Sequence, residues 1–178
     1  MTLLIKEKAI SKKYCINIIE KLNTKKTYYN FNVLKKDRAY KGFSINPFDQ
    51  EWFNEFCIAL NEYKEQHPFL TTEIGPWNTH EDCNYQKYEP GTCYKSEHCE
   101  HNYSFPLRIL AWMFYCNNIK KGGETNFPQQ KIKVKPKEGT LVIWPAFWTH
   151  SHMGIKAPNE TKYIVTGWCK LIEPKLWT

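Results

Sequence analysis

The chain has 178 residues and a formal charge of +7, the size of one ordinary domain able to bury a core without disulfides or oligomerisation. An aromatic content of 16% argues against disorder and for a packed, β-rich interior with an aromatic-lined pocket. The charge is scattered as lysine pairs such as Lys12–Lys13 and Lys120–Lys121, which reads as a solvated surface; nucleic acid is disfavoured as a partner without being excluded.

In chain order, the opening MTLLIKEKAISKK holds only three consecutive apolar residues before its first lysine, so neither a signal peptide nor a membrane span is expected. Cys15, Ile18, Ile19 and Leu22 then recur at helical spacing behind a capping Ser11, which predicts an amphipathic helix over 11–22. Between 24 and 48 the imperfect alternation of Tyr28, Tyr29, Phe31, Val33 and Leu34 predicts a strand and a loop ending at Pro47. A second helix is predicted over 49–66, where Trp52, Phe53, Phe56, Cys57, Leu60 and Tyr63 form one apolar stripe that ends before Pro68. It should pack on the outside of a sheet.

From residue 83 the signal changes to short β-like runs: CNYQKY, TCYKSEHCE, LRILAWMFY, GGETNF, KIKVK, GTLVIWP and TKYIVTGWCKL. Their spacing, with no helical pattern between them, predicts a mainly β fold with an antiparallel sandwich or jelly-roll core and the N-terminal helices packed outside. Residues 1–80 are the expected support and 83–172 the core of a single domain over 1–178. Seven cysteines, an odd number without a CxxC pair, argue against a zinc ribbon or disulfide scaffold and fit a reducing cytosol. The glycosylation triplets at Asn102 and Asn159 are then accidental.

Two positions in the β region point to chemistry. His98 and Glu100 stand two apart in a strand-like run, which puts both side chains on one face, about 7 Å apart, where one metal ion could bridge them. A third ligand has to come from the distant His150-Ser151-His152. Two histidines and a carboxylate leave three positions open on an octahedral metal, the arrangement of iron(II) oxygenases rather than of closed zinc sites. In TKYIVTGWCK, alternation places Lys162, Ile164, Thr166 and Trp168 on one face. An inward lysine beside a hydroxyl implies an anion, and a dicarboxylate cosubstrate would supply it.

The stretch from about Tyr88 to Trp168 resembles the double-stranded β-helix core of the iron(II)- and 2-oxoglutarate-dependent oxygenases, in particular their prolyl 4-hydroxylase-like branch with its small phage and bacterial members. KYEPGTCYKSEHCE resembles the family's strand with tyrosine, glycine turn, second tyrosine and His-x-Asp. FYCNN resembles its Tyr-Leu-Asn, GGETNF its Gly-Gly-Glu-Thr-x-Phe, EGTLVIWP its Gly-x-Leu-x-x-Phe-Pro, and THSHMG with KYIVTGW its closing histidine, basic residue and Gly-Trp. The resemblance implies iron(II) held by His98, Glu100 and His152, with His150 as the alternative third ligand. It further implies 2-oxoglutarate with its distal carboxylate on Lys162, hydrogen bonds from Thr166 and Tyr115, and Tyr88 reaching the chelating end. Glutamate at 100 departs from the family's usual aspartate, and family spacing from ligand to basic residue favours His152.

The implied reaction is hydroxylation with release of succinate and carbon dioxide, and ascorbate as reductant. A peptide or protein partner is expected to offer the substrate, a peptidyl proline by the resemblance, with a small molecule as the alternative; the protein itself is expected to be a monomer or weak dimer that does not engage a membrane. A jelly-roll binding module without turnover, or a cupin-like zinc or manganese enzyme, is the competing reading. Of the neighbouring residues, His101 is expected outward and solvated, Cys99 in the core, Arg108 structural, and Glu124 at a turn and strand start.

Overall fold

The computed structural model describes residues 2–25, 29–30, 40–79 and 81–173, with only the backbone of 29–30. The expected strand residues Tyr28, Phe31, Val33 and Leu34 lie outside them. The elements in order are β1 (Leu4–Lys6), α1 (Lys12–Thr24), β2 (Tyr29–Asn30), β3 (Lys41–Ile45), α2 (Phe53–Gln66), α3 (Phe69–Thr72), β4 (Trp77–Asn78) and β5 (Cys83–Tyr88). There follow β6 (Arg108–Tyr115), β7 (Thr125–Phe127), β8 (Ile132–Val134), β9 (Leu141–Pro145), β10 (Met153–Gly154) and β11 (Lys162–Leu171). No helix among the described residues is long and apolar enough to cross a membrane.

Two antiparallel sheets face each other as a jelly roll. The larger runs β1-β9-β6-β11-β5-β3-β2, with β4 also on β11; the smaller runs β10-β7-β8. The N-terminal part thus supplies four strands as well as helices, where the sequence pattern predicted one strand, between 24 and 48. Alternation sorts the side chains of the larger sheet into two cores. Leu110, Trp112 and Phe114 of β6, with Leu141 and Ile143 of β9, meet Ile18 and Leu22 of α1 and Phe56 and Leu60 of α2. Ala111, Met113 and Tyr115, with Val142 and Trp144, point the other way, toward Phe127 and Val134 of the smaller sheet. Each large apolar side chain so buried contributes roughly 1.5–3 kcal/mol.

Two expected elements differ. The second helix begins at Phe53 because residues 47–49 form a separate 3-10 turn, capped by the Asn46 side chain accepting from the Phe48 N–H at 3.0 Å. TCYKSEHCE is no regular strand: within it Tyr94 and His98 form only single bridges, that of His98 to His152. The N–H groups of Glu100 and His101 both donate to the single carbonyl of Ala146, at 3.0 and 2.9 Å, so the chain turns there rather than running along a ladder.

Gly167 in β11 allows a close approach between β11 and the ring of Trp112. A Cβ there would lie 2.2 Å from the Trp112 ring, itself wedged 4.5 Å from Phe56 and 5.7 Å from Trp52 between ring centroids. Gly167→Ala is therefore expected to cost about 1–3 kcal/mol or more and to lower Tm by about 5 °C, read by thermal denaturation. An unchanged Tm would mean that Trp112 can move aside.

Candidate functional site

Between the two sheets opens a cavity of about 620 Å3. Gln86, Tyr88, Lys162, Thr166 and Trp168 line it from the larger sheet, Thr125 from the smaller, and His98, Glu100 and His152 from the connecting segments.

His98 and His152 are brought together by reciprocal backbone bonds, each N–H donating to the other's carbonyl at 3.0 and 2.8 Å. Each ring has its Nδ1 on a backbone carbonyl, His98 on Ser96 at 2.9 Å and His152 on His150 at 3.1 Å. A carbonyl only accepts, so Nδ1 carries the proton and Nε2 keeps its lone pair, the tautomer a metal needs. Both Nε2 atoms face Oε1 of Glu100, at 3.4 and 3.5 Å. The three potential ligand atoms lie within 4.8 Å of one another, and no other such group of three occurs among the described residues. Tyr94 packs on the His98 ring at 4.0 Å, and Trp144 and Phe127 on that of His152 at 5.0 and 5.4 Å. Burial by itself would raise the Glu100 pKa, but when His152 and His98 are doubly protonated their Nε2–H groups and charges favour the carboxylate and more than reverse it, holding the carboxyl well below its usual range.

His150 takes no part in this group. It ends a 3-10 turn over 148–150 rather than sharing a strand face with His152. Its Nε2 is 2.7 Å from Thr2 Oγ1 and its Nδ1 3.0 Å from Thr149 Oγ1. Burial, then the charge of His152, lowers its pKa.

Lys162 is 3% exposed and lines the cavity. Its ammonium donates to the Gly123 carbonyl at 3.1 Å and lies 4.9 Å from the Tyr88 ring centroid, with no acidic side chain among the described residues in ion-pair contact. Gly122 and Gly123 both adopt positive φ, +72° and +77°, and a Cβ on Gly122 would lie 2.0 Å from the Lys156 carbonyl, so the glycine pair permits the tight turn that presents the Gly123 carbonyl to Lys162. Burial pushes the ammonium pKa down to about 8, against smaller opposing effects of Cys93 and Glu124.

The other expected cosubstrate residues are placed differently. The Tyr88 ring stands beside the ammonium and its hydroxyl donates to Gln86 Oε1 at 2.9 Å rather than toward the histidines; burial keeps it protonated. Thr166 lines the cavity, but its hydroxyl donates to the Trp112 carbonyl at 3.1 Å. Four residues along one strand, roughly 13 Å, separate it from Lys162. Tyr115 does not reach the cavity; its hydroxyl stands 2.9 Å from Thr125 Oγ1, and Thr125 is the residue presented there. The motif GGETNF contained Thr125, and its two-residue alternation with the buried Phe127 was the signal that could have found it.

Among the neighbours, His101 is half-buried, its Nδ1 3.1 Å from the Arg108 carbonyl and its ring 4.6 Å from Phe147, so it is not the solvated histidine expected. Cys99 is likewise half-buried at the cavity wall instead of in the core, because the turn at 100–101 breaks the strand alternation on which that expectation rested.

A family model described as the 2OG-Fe(II) oxygenase superfamily matches residues 83–170. Over 37 residues the chain is 46% identical to prolyl 4-hydroxylase subunit alpha-1 of Gallus gallus and of Homo sapiens, which is 21% of this chain and 7% of the length of those relatives. Among solved structures, a viral collagen prolyl hydroxylase from Paramecium bursaria Chlorella virus-1, in its 2OG complex, aligns with TM-score 0.76 and 19% identity over 97% of both chains. A Pseudomonas putida prolyl-4-hydroxylase aligns with TM-score 0.72 and 16% identity over 97% of this chain and 94% of that one. At these identities the likeness is one of fold.

Proposed function

Since the chain belongs to the 2OG-Fe(II) oxygenase superfamily, we propose that it is an iron(II)- and 2-oxoglutarate-dependent dioxygenase that hydroxylates an unactivated carbon–hydrogen bond, with release of succinate and carbon dioxide. The observation that carries this reading is the meeting of His98, Glu100 and His152 in a cavity that is also lined by a buried lysine, Lys162, with no ion-pair partner among the described residues.

The residues present fit the cofactors. Two neutral imidazole nitrogens and one carboxylate oxygen are the donor set suited to iron(II) with positions left open. Those residues would hold the metal, and the Lys162 ammonium would pair with the distal carboxylate of 2-oxoglutarate, with the Thr125 hydroxyl, backed by Tyr115, beside it. Bound together, these cofactors supply the oxidising chemistry that no side chain here possesses. The protein's share is position and exclusion of water. Backbone carbonyls lock both imidazoles in the ligating tautomer, while Tyr94, Trp144 and Phe127 pack around them and keep the site apolar.

The substrate belongs to the same proposal. Several structural relatives are described as prolyl hydroxylases, and one from Trichoplax adhaerens as a complex with a peptide fragment, which supports a peptidyl proline in a peptide or protein partner. We place the enzyme in a reducing cytosol, acting as a single domain, a monomer or weak dimer, with ascorbate keeping the iron reduced; all seven cysteines are free thiols.

The test is succinate release from purified protein given iron(II), 2-oxoglutarate and ascorbate, with and without proline-containing peptides. Succinate that disappears when a chelator removes the metal is expected. Folded protein that releases none under any of these conditions would point instead to a binding module.

A further inference from the structure

The second oxygen of Glu100 faces away from the histidines into a group that the proposed chemistry does not use. Oε2 accepts from Trp168 Nε1 at 2.8 Å and from Arg108 Nη1 at 3.4 Å. The remaining edge of the Arg108 guanidinium is taken by Glu81, Nε donating to Oε2 at 3.0 Å and Nη2 to Oε1. Its plane is clamped between two rings, 3.7 Å from the Phe105 centroid and 3.6 Å from that of Trp168. The Arg108 side chain is only 7% exposed.

We propose that Arg108 is a positioning residue for the metal site: with Trp168 it holds Oε2 of Glu100, so that Oε1 alone is turned to the metal, while Glu81 orients the guanidinium and cancels its charge. This rests on the metal-dependent reading above. A glutamate has one more rotatable bond than the aspartate that the family resemblance leads one to expect at this position. Left free, its carboxylate can swing or offer both oxygens. A planar guanidinium sandwiched between rings is preorganised to bind two carboxylates along two edges, which a lysine cannot do. Glu81 is needed for the electrostatics: with it the arginine adds no net charge, and Glu100 keeps its full negative charge for a divalent cation.

The experiment is calorimetric titration of the metal-free full chain with Mn(II), together with the visible absorption spectrum of the Co(II) form, neither of which requires turnover. Arg108→Gln and Glu81→Gln are each expected to raise the Mn(II) Kd about 10–100-fold, the range seen when outer partners of metal ligands are removed, and to alter the Co(II) spectrum. Glu100→Asp combined with Arg108→Gln should cost less than the product of the single effects, because both act through the same oxygen. Should a single variant fail to fold, the double variant Glu81→Gln/Arg108→Gln removes both charges of the Glu81–Arg108 pair together and carries the same measurement. Folded variants with a lower Tm but an unchanged Kd and Co(II) spectrum would reduce Arg108 to a structural ion pair and overturn the proposal. Wild-type protein that binds no Mn(II), or a His152→Ala variant that binds it as well as wild type, would instead remove the metal-site reading beneath it.

Discussion

His152→Ala is expected to abolish metal binding and succinate release, whereas His150→Ala keeps both. The two residues are neighbours but one, yet their surroundings are opposed. His152 offers a free Nε2 to a carboxylate oxygen it shares with His98, and its Nδ1 is already occupied by a carbonyl. Loss of that nitrogen removes one of three protein ligands, so metal affinity should fall by more than the roughly 100-fold that removal of an outer partner costs. His150 has both nitrogens engaged by threonine hydroxyls, Thr2 and Thr149. Its loss should cost about 1 kcal/mol of stability and a few degrees of Tm, with activity retained. Metal titration and Tm of the two variants check this pair of expectations, and the reverse result would reassign the third ligand.

Lys162→Met is expected to stabilise the cofactor-free protein while raising the 2-oxoglutarate requirement by roughly 100-fold or more, because a buried charged partner is lost. The sign of the stability effect follows from linkage. Burial depresses the folded pKa of Lys162 from 10.5 to about 8, so the unfolded chain binds the proton more tightly. The resulting penalty is complete below about pH 8 and is relieved as pH rises toward 10.5; at neutral pH it is worth up to about 3 kcal/mol. Methionine, of similar length and uncharged, avoids it. An arriving carboxylate reverses the balance by favouring the ammonium, so binding of 2-oxoglutarate above pH 8 should be accompanied by proton uptake. Tm measured with and without 2-oxoglutarate across pH 6–10 reads all of this: wild type gains on ligand addition and Lys162→Met does not. A variant whose 2-oxoglutarate affinity matched wild type would show that the anion sits elsewhere than on Lys162.

What could be read from residues alone was whatever rests on local periodicity. Helix α2 declared itself by the stripe from Phe53 to Tyr63, and β11 by a two-residue alternation that already turned Lys162, Ile164, Thr166 and Trp168 to one side, all four of which line the cavity. The order of the short motifs was enough to indicate the jelly roll and the residue types of the metal site. The strands β1 and β4 were too short to carry a pattern, two or three residues each, and exist because β9 and β11 offer them edges.

The tertiary structure decided everything that depends on which distant backbones meet. Parity could not choose between His150 and His152, because both positions were read on one imagined strand; the reciprocal backbone pairing brings His152, and not His150, beside His98. Alternation likewise put His98 and Glu100 at strand spacing, whereas the turn onto Ala146 folds them around a shared point. Arg108 meets Glu81 across 27 residues of sequence, and Thr125 is presented to the cavity from the other sheet. Amino-acid order sets which face of an element is apolar, a property of neighbours along the chain. The atoms that can surround one ion are set by how the sheets cross and where the connections turn, and that is a property of the packed whole.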